Sequence, residues 1–470
     1  MEKERIDQYF ADSAVRARLI GAVSRLVAVK SVKGPAQPGA PFGPGPKAAL
    51  EEALALASEL GFATRNYDDH VGLADLNGGP TQLHILAHLD VVGEGKGWDT
   101  DPYTCVEKDG VLYGRGVSDD KGPLCAALMA MAAVKDLGGT AKNVKLVMGT
   151  DEESGSEDIA YYYAREPFAP YSFTPDADFP VIHIEKGHYH PDFGAAWTDE
   201  TALPRVTALQ GGFRHNVVPP EAECTILGMT AAQVGDVCAR VSAATSALLT
   251  AQDTADGVAI HCAGKNAHAA SPDDGVNAIQ ALLEALALLP LADCNSTKYL
   301  RALHHLFPFG DNRGKALGIA QSDPESGELT LNLALLTMTA TRFQAKFDVR
   351  FPLCANQFNC KGVCEETFRR HGISILGDPE MTSVHCVSAD SPLVKTLLRC
   401  YSMYTGEADP QPIAIGGGTY VHDIPGGVAF GCVFPGVDTK MHAANERIAV
   451  EDLLLSAKMF TQAIFDLCGE

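Results

Sequence analysis

The sequence predicts an α/β protein with a mixed, partly parallel sheet, interrupted by an inserted α+β domain carrying an antiparallel sheet. Three observations predict it. "LHILAHLDVV" (83–92) and "VKLVMG" (144–149) are nearly continuous apolar runs, as in strands covered on both faces. Between them, "GPLCAALMAMAAVKDLGG" reads as a helix, with Pro123 suited to its first turn and Gly138 to its stop. From about 187 to 385 the texture shifts to shorter alternating segments, and after 386 the first texture returns.

Taken in order, residues 34–46, "GPAQPGAPFGPGP", are Gly- and Pro-rich loop. "KAALEEALALASELG" predicts a helix, because Leu50, Leu54 and Leu60 recur near helical spacing and Gly61 suits the position just past its end. The strand–helix–strand run over 83–149 then predicts a right-handed βαβ unit and parallel pairing. In the middle, "TMTATRFQAKFDVRFP" alternates like antiparallel strands and "NAIQALLEALALL" is helical. "SPLVKTLLRCYSMYTG", the turn "IGGGTY" and a final helix over 450–468 complete the chain. The simplest division is one discontinuous domain, 1–186 with 386–470, and a second domain, 187–385.

A chain of 470 residues exceeds one ordinary core, which agrees with two domains. Hydrophobic residues at 46% and charged residues at 20% are globular proportions. Thirty-seven basic against fifty-nine acidic residues give a net charge of −22, which argues against nucleic acid or an anionic membrane surface as the main partner. The charged start "MEKERIDQYF" has no apolar signal region, and no run approaches the roughly 18 apolar residues of a spanning helix. Thirteen scattered cysteines make no disulfide framework. Cys354, Cys360 and Cys364 match no zinc-site spacing and read as reduced thiols, with a metal role as the weaker alternative. The expectation is a soluble cytoplasmic protein.

Chemistry gathers where apolar strands end. His88 and Asp90 lie two apart in "AHLD", and an aspartate beside a metal-bound histidine commonly receives its other ring N–H. Asp119 and Asp120 precede the helix at Pro123; one of them could serve as a helix cap, but two exceed what a cap needs. Glu152 and Glu153 follow the strand "VKLVMG", along the edge where open α/β sheets place ligands. "FTPDADFP" offers Asp176 or Asp178, and "TKMHAANERI" offers His442. Two histidines and several carboxylates, with no cysteine, suit zinc, manganese or cobalt. Five ligands exceed one catalytic zinc but suit two ions about 3.5–4 Å apart that share a carboxylate. A hydrolase of this kind also needs a carboxylate off the metals to take the proton of a water. One of the adjacent glutamates can fill that role while the other binds metal. Glu157 and Asp158, further along the loop, read as solvated surface acids.

These motifs resemble the co-catalytic dinuclear zinc peptidases that include carboxypeptidase G2-like enzymes, aminoacylases and carnosinases, and most of all the monomeric bacterial Xaa-His dipeptidases. The resemblance runs along nearly the whole chain, through "HLDVV", "YGRGVSDDKGP", "GTDEESGSED", "TPDADFPVIHIEKG", "GKNAHAASPDDGVNA", "IGGGTY" and "MHAANE". It implies that His88 and Asp176 hold one ion, that Glu153 and His442 hold the other, and that Asp119 bridges both. By the same resemblance Asp90 orients His88, Glu152 is the general base, and a cis peptide joins Asp119 to Asp120. The inserted domain becomes a lid. Its His268 matches the histidine that meets the oxyanion, and Asn216, Arg350, Gly417 and Thr419 match substrate-binding positions. An arginine suits a substrate carboxylate through its bidentate fork. His183, His188 and His190 in "HIEKGHYH" read as domain-junction histidines, with an extra metal site as the alternative.

The function so implied is a two-metal dipeptidase acting on short peptides with a free N-terminus, with zinc as the expected metal. An N-acyl amino acid deacylase or other amidohydrolase with the same centre is the alternative. An inactive homologue serving as a binding protein is disfavoured, because every ligand position is filled. The roughly 200-residue insertion suits a monomer whose lid serves its own site, against lid-mediated dimers elsewhere in the family.

Overall fold

The computed structural model describes residues 2–469, and the chain divides into two units. One comprises the chain up to Ile184, His385–Ile413 and the chain from Gly418 onward; the other is Glu185–Val384 with Ala414–Gly417. The protein is thus of mixed α/β class, with parallel pairing in the first unit and antiparallel sheet in the second.

In the first unit the strand Thr81–His88 lies beside Asn143–Gly149 and Tyr171–Thr174, parallel to both. Val428–Ala429 extends the sheet parallel to Tyr171–Thr174. On the far side Val71–Asp75 and Ala63–Tyr67 add antiparallel strands. The helix Lys121–Asp136 connects the two central parallel strands, the βαβ unit expected from the apolar runs. It packs against Val450–Cys468 and Ser13–Val27, and fourteen of its sixteen residues are buried, which is why it reads apolar all round.

The two faces of Thr81–His88 differ, as strand alternation requires. Leu83, Ile85 and Ala87 join the core under these helices. His84 and His88 point to the opposite face, where His84 meets Tyr163 of the helix Glu157–Tyr163 and His88 meets the ring of Tyr420. The strand ends at His88, short of the predicted run to 92, because Leu89 and the residues beyond turn away. The amide of Leu89 still donates to the Gly149 carbonyl and that of Val91 to the Ser31 carbonyl, so these two backbone donors stay paired beyond the strand.

The second unit is an antiparallel sheet in the order Leu248–Thr254, Gly257–Ala263, Glu221–Leu227, Arg205–Gly211, Thr330–Met338, Arg342–Phe351. Asp192–Ala196 and Gly187–Tyr189 both pair with the last of these. Phe343, Phe347, Val349 and Phe351 enter the core, which leaves Asp348 and Arg350 on the other face. The stretch "TMTATRFQAKFDVRFP" is the hairpin between Thr330–Met338 and Arg342–Phe351.

Candidate metal centre

Three parallel strands end at one place and deliver the acidic and imidazole side chains there. His88 closes Thr81–His88, Glu152 and Glu153 form the single helical turn Glu152–Ser154 after Asn143–Gly149, and Asp176 follows Tyr171–Thr174. Carboxyl ends of parallel strands are where an open α/β sheet leaves room for a ligand. Asp119 comes from the loop before helix Lys121–Asp136, and His442 from the segment before Arg447–Ala449. That last strand pairs with Val111–Tyr113, which brings the two loops together.

The two oxygens of Asp119 are divided between the histidines. Oδ1 lies 2.8 Å from His88 Nε2 and Oδ2 lies 2.8 Å from His442 Nε2. Asp176 Oδ2 is 3.4 Å from His88 Nε2, and Glu153 Oε1 is 3.1 Å from His442 Nε2. Two triads result, His88–Asp119–Asp176 and Asp119–Glu153–His442, sharing one carboxylate. Asp176 rather than Asp178 faces His88; no such triad among the described residues includes Asp178.

Charge balance says what these triads suit. Burial pushes the Asp176, Glu153 and Glu152 carboxyls up, and the neighbouring Asp119 adds to the rise in each. Burial also acts on Asp119, yet His442 and His88 outweigh it and hold its carboxyl well below the usual range. On His442 the sign is reversed: burial disfavours its charge, but Asp119 and Glu153 raise the imidazole to about 11. His88 is likewise raised, against its burial, by Asp119, Asp176 and Asp90. So many carboxylates demand positive charge at these nitrogens. Divalent ions would supply it and leave the imidazoles neutral as ligands. The donor set fits divalent metal.

The surrounding residues fix the ligands. Asp90 accepts the Glu152 amide on Oδ1 and the Glu153 amide on Oδ2, each at 3.1 Å, so its carboxylate sets the turn carrying both glutamates. Its carbonyl takes His88 Nδ1 at 2.9 Å, while its carboxylate Oδ1 is 3.5 Å from that nitrogen. The expected orienting contact therefore runs chiefly through the backbone of Asp90. The Asp119–Asp120 peptide is cis. Asp120 stands at the helix start, but its side chain accepts the His88 amide at 3.0 Å instead of capping the helix.

Sequence reasoning missed two buried acids. Glu446 is completely buried, pairs with Arg115 at 2.6 Å and accepts the amides of Gly116, Ser118 and Asp119. It cradles the loop that presents Asp119; the only sequence signal was its place in "MHAANE". The expectation of a solvated Asp158 is wrong. Asp158 is fully buried, and it accepts the Tyr420 hydroxyl and the amides of Thr150, Asp151 and Ile159. Burial raises its carboxyl to about 7. In sequence it continues a run of acids, and its neighbour Glu157 is indeed exposed, whereas the helix Glu157–Tyr163 turns Asp158 inward.

The remaining candidates lie elsewhere. Thr419 in the first unit accepts the Val421 amide and so caps the turn Tyr420–Asp423. In the second unit, Asn216 and His268 are neighbours: Val217 bridges to His268, and the Asn216 carbonyl takes the Ala269 amide. His268 Nδ1 accepts the Ala270 amide at 3.3 Å. Arg350 is 5% exposed, and its Nε and Nη2 are closed on Asp348 at 2.7 and 2.9 Å. Nη1 reaches the Gly416 carbonyl and His188 Nε2. The fork expected to face a ligand carboxylate is thus turned onto an internal one. His183 is tied to the Val387 carbonyl. All thirteen cysteines are free thiols.

The model of Peptidase family M20/M25/M40 matches residues 84–466, a span that holds every residue of both triads. The chain belongs to this family. It is a metallopeptidase. A Bacillus subtilis (strain 168) protein described as "Putative dipeptidase YtjP" is 35% identical over 436 residues, covering 92% of this chain and 93% of that one. A Staphylococcus aureus (strain MRSA252) protein, "Putative dipeptidase SAR1836", is 31% identical over 484 residues, covering both chains completely. Among solved structures, human carnosine dipeptidase 1 has a similar fold, with a TM-score of 0.56 at 16% identity over 99% of each chain. No helix among the described residues is long and apolar enough to cross a membrane.

Proposed function

We propose that this metallopeptidase is a dipeptidase, hydrolysing short peptides that have a free N-terminus. The observation that carries the reading is Asp119, whose two oxygens serve two histidine-containing triads. The relatives described as dipeptidases over nearly full length support the substrate class. His88 and Asp176 would hold one ion, Glu153 and His442 the second, and Asp119 both. Bound there, the ions, which we propose to be zinc, supply Lewis acidity toward a carbonyl and make water acidic at neutral pH.

The protein's own part is proton movement and positioning. Glu152 takes the proton of the attacking water and returns it to the leaving amine. Asp90 holds the Glu152 and Glu153 amides on separate oxygens, so the base and the ligand keep distinct directions although they are adjacent. Burial raises the Glu152 carboxyl, which makes it a better proton acceptor once it is ionised. By the resemblance in sequence, His268 meets the oxyanion, and Asn216, Arg350, Gly417 and Thr419 hold the substrate. With its Nε–Nη2 edge on Asp348 and Nη1 on the Gly416 carbonyl and His188, Arg350 has one Nη2 hydrogen left for that purpose. The reading includes a monomeric, cytoplasmic enzyme with Glu185–Val384 as its lid.

The test is a substrate panel of dipeptides, tripeptides and N-acetyl amino acids, run on chelated enzyme resupplied with zinc or manganese. Dipeptide turnover restored by zinc is the expected result. Cleavage of N-acetyl amino acids alone would make it a deacylase, and no cleavage with metal bound would make it an inactive homologue. Glu152→Gln should retain its metal and lose roughly 10²–10⁴-fold in kcat; a near wild-type rate would remove Glu152 as the base.

A further inference from the structure

A second cluster of metal-ligating side chains lies in the other unit and shares no residue with the centre just described. His190, His215 and Asp348 each offer one ligand atom, and these atoms lie within 4.8 Å of one another. Sheet register builds it. Gly187–Tyr189 runs antiparallel to Arg342–Phe351, with His188 opposite Arg350 and Tyr189 opposite Val349. One step further, His190 comes opposite Asp348, and alternation puts both on the face away from the apolar core. His215 joins from the loop after Arg205–Gly211, its ring centroid 4.9 Å from that of His190.

Three details set this cluster apart from an ordinary polar network. First, His190 Nε2 is shielded from solvent and makes no hydrogen bond of acceptable geometry. A shielded ring nitrogen held at ion-pair distance from a carboxylate, without a well-formed hydrogen bond, is under-satisfied and open to a cation. Second, that nitrogen is 3.3 Å from Asp348 Oδ2. Ligands about 2.0–2.1 Å from a tetrahedral zinc ion stand about 3.3 Å from each other, so the pair is already spaced for one ion. Third, Asp348 is completely buried and ionised against Arg350, which takes Oδ1 through Nε and Oδ2 through Nη2. A carboxylate has about four lone-pair sites, so Oδ2 retains one for another partner.

From this geometry we infer that His190, His215 and Asp348 form a further site for a divalent cation of the zinc class. Two imidazoles and a carboxylate leave open positions for water and suit zinc, nickel or copper better than magnesium or calcium. The ring of His215 is ready as a ligand: the partial desolvation of its ring, and then His190 beside it, lower its basicity, which favours the neutral form. The nearby Arg350 charge weakens the site but does not occupy the facing imidazoles. The inference stands apart from the dipeptidase reading, because cation binding can be measured with no substrate present.

Chelated wild-type protein is equilibrated with zinc alone, and bound metal is counted by atomic emission. The same is done for His190→Asn, His215→Asn and the double variant. Wild type should hold one more ion per chain than any of the three. Cobalt titration gives a second readout: the extra ion should add visible absorption that the variants lack. His215 is exposed on a loop, so its variant should unfold at the wild-type temperature and isolates the ligand effect from folding. Equal metal counts in wild type and in His215→Asn, with equal cobalt spectra, would overturn the assignment and leave these histidines as partners of the Asp348–Arg350 pair.

Discussion

Glu446→Gln is the sharpest test of how the chain supports its bridging aspartate. Glu446 and Arg115 are 0% and 1% exposed, and the guanidinium Nη1 is 2.6 Å from Oε2. Oε1 accepts amides from Gly116 at 3.1 Å, Ser118 at 2.9 Å and Asp119 at 3.2 Å. Burial raises the Glu446 carboxyl, as does Asp119, while Arg115 and the amides pull the other way; every group facing it directly is a donor. Glutamine keeps the shape but replaces one oxygen with an NH2 group. Whichever way that amide turns, it points N–H at N–H, and Arg115 loses its counter-charge. Removing one partner of a buried pair costs about 3–5 kcal/mol. At roughly 2–4 °C per kcal/mol for a domain of a few hundred residues, unfolding of this unit should fall by on the order of 10 °C. Movement of the Asp119 amide should also weaken metal retention by about 10–100-fold, the usual cost of disturbing a ligand's support. Calorimetry and chelator competition measure the two effects. A variant that melts within about 1 kcal/mol of wild type and keeps its metal affinity would refute this account of Glu446.

The other outcomes concern acid stability, metal and backbone space. His84 is 2% exposed, with Nδ1 2.9 Å from the Tyr163 hydroxyl, and burial, then Lys145, push its pKa down to about 4. Below pH 6.5 the unfolded chain takes a proton that the folded one refuses, so stability present above 6.5 is lost as pH falls toward 4. At about 1.4 kcal/mol per unit the loss is about 3 kcal/mol. In urea melts across that range His84→Gln should decline less steeply, and parallel declines would refute the assignment. Chelation should lower the unfolding temperature, since an ion at a hundred times its Kd stabilises by about 2.7 kcal/mol; an unchanged melt would mean that the triads hold no metal in the folded protein. A Cβ at Gly431 would sit 1.7 Å from the Ala177 carbonyl oxygen. Gly431→Ala should therefore displace the loop bearing Asp176 and reduce metal content, and full occupancy would show that the loop absorbs the methyl group freely.

Local order was legible along the chain because periodicity reports the surroundings of neighbouring residues. The apolar runs at 83–92 and 144–149 announced buried parallel strands, the first of which stops at His88, and the helices Lys121–Asp136 and Val450–Cys468 lie within a residue or two of their predicted bounds. The polar residues at those strand ends were legible too, since a buried run closing on His or Glu marks a place where the sheet meets a ligand. What spacing could not supply was partnership at a distance. Glu153 and His442 are 289 residues apart, and Arg115 and Glu446 are 331 apart. Asp158 looked solvated in a run of acids, yet Tyr420, 262 residues away, covers it. Arg350 was legible as a cation suited to carboxylates, but only strand pairing and alternation put Asp348 against its fork. Sequence by itself determined which segments are strand or helix and which side chains stand at their ends, because those depend on residues a few positions away. Tertiary structure alone decided which of those ends meet, and so which carboxylate spans two histidines, because burial and charge act through space.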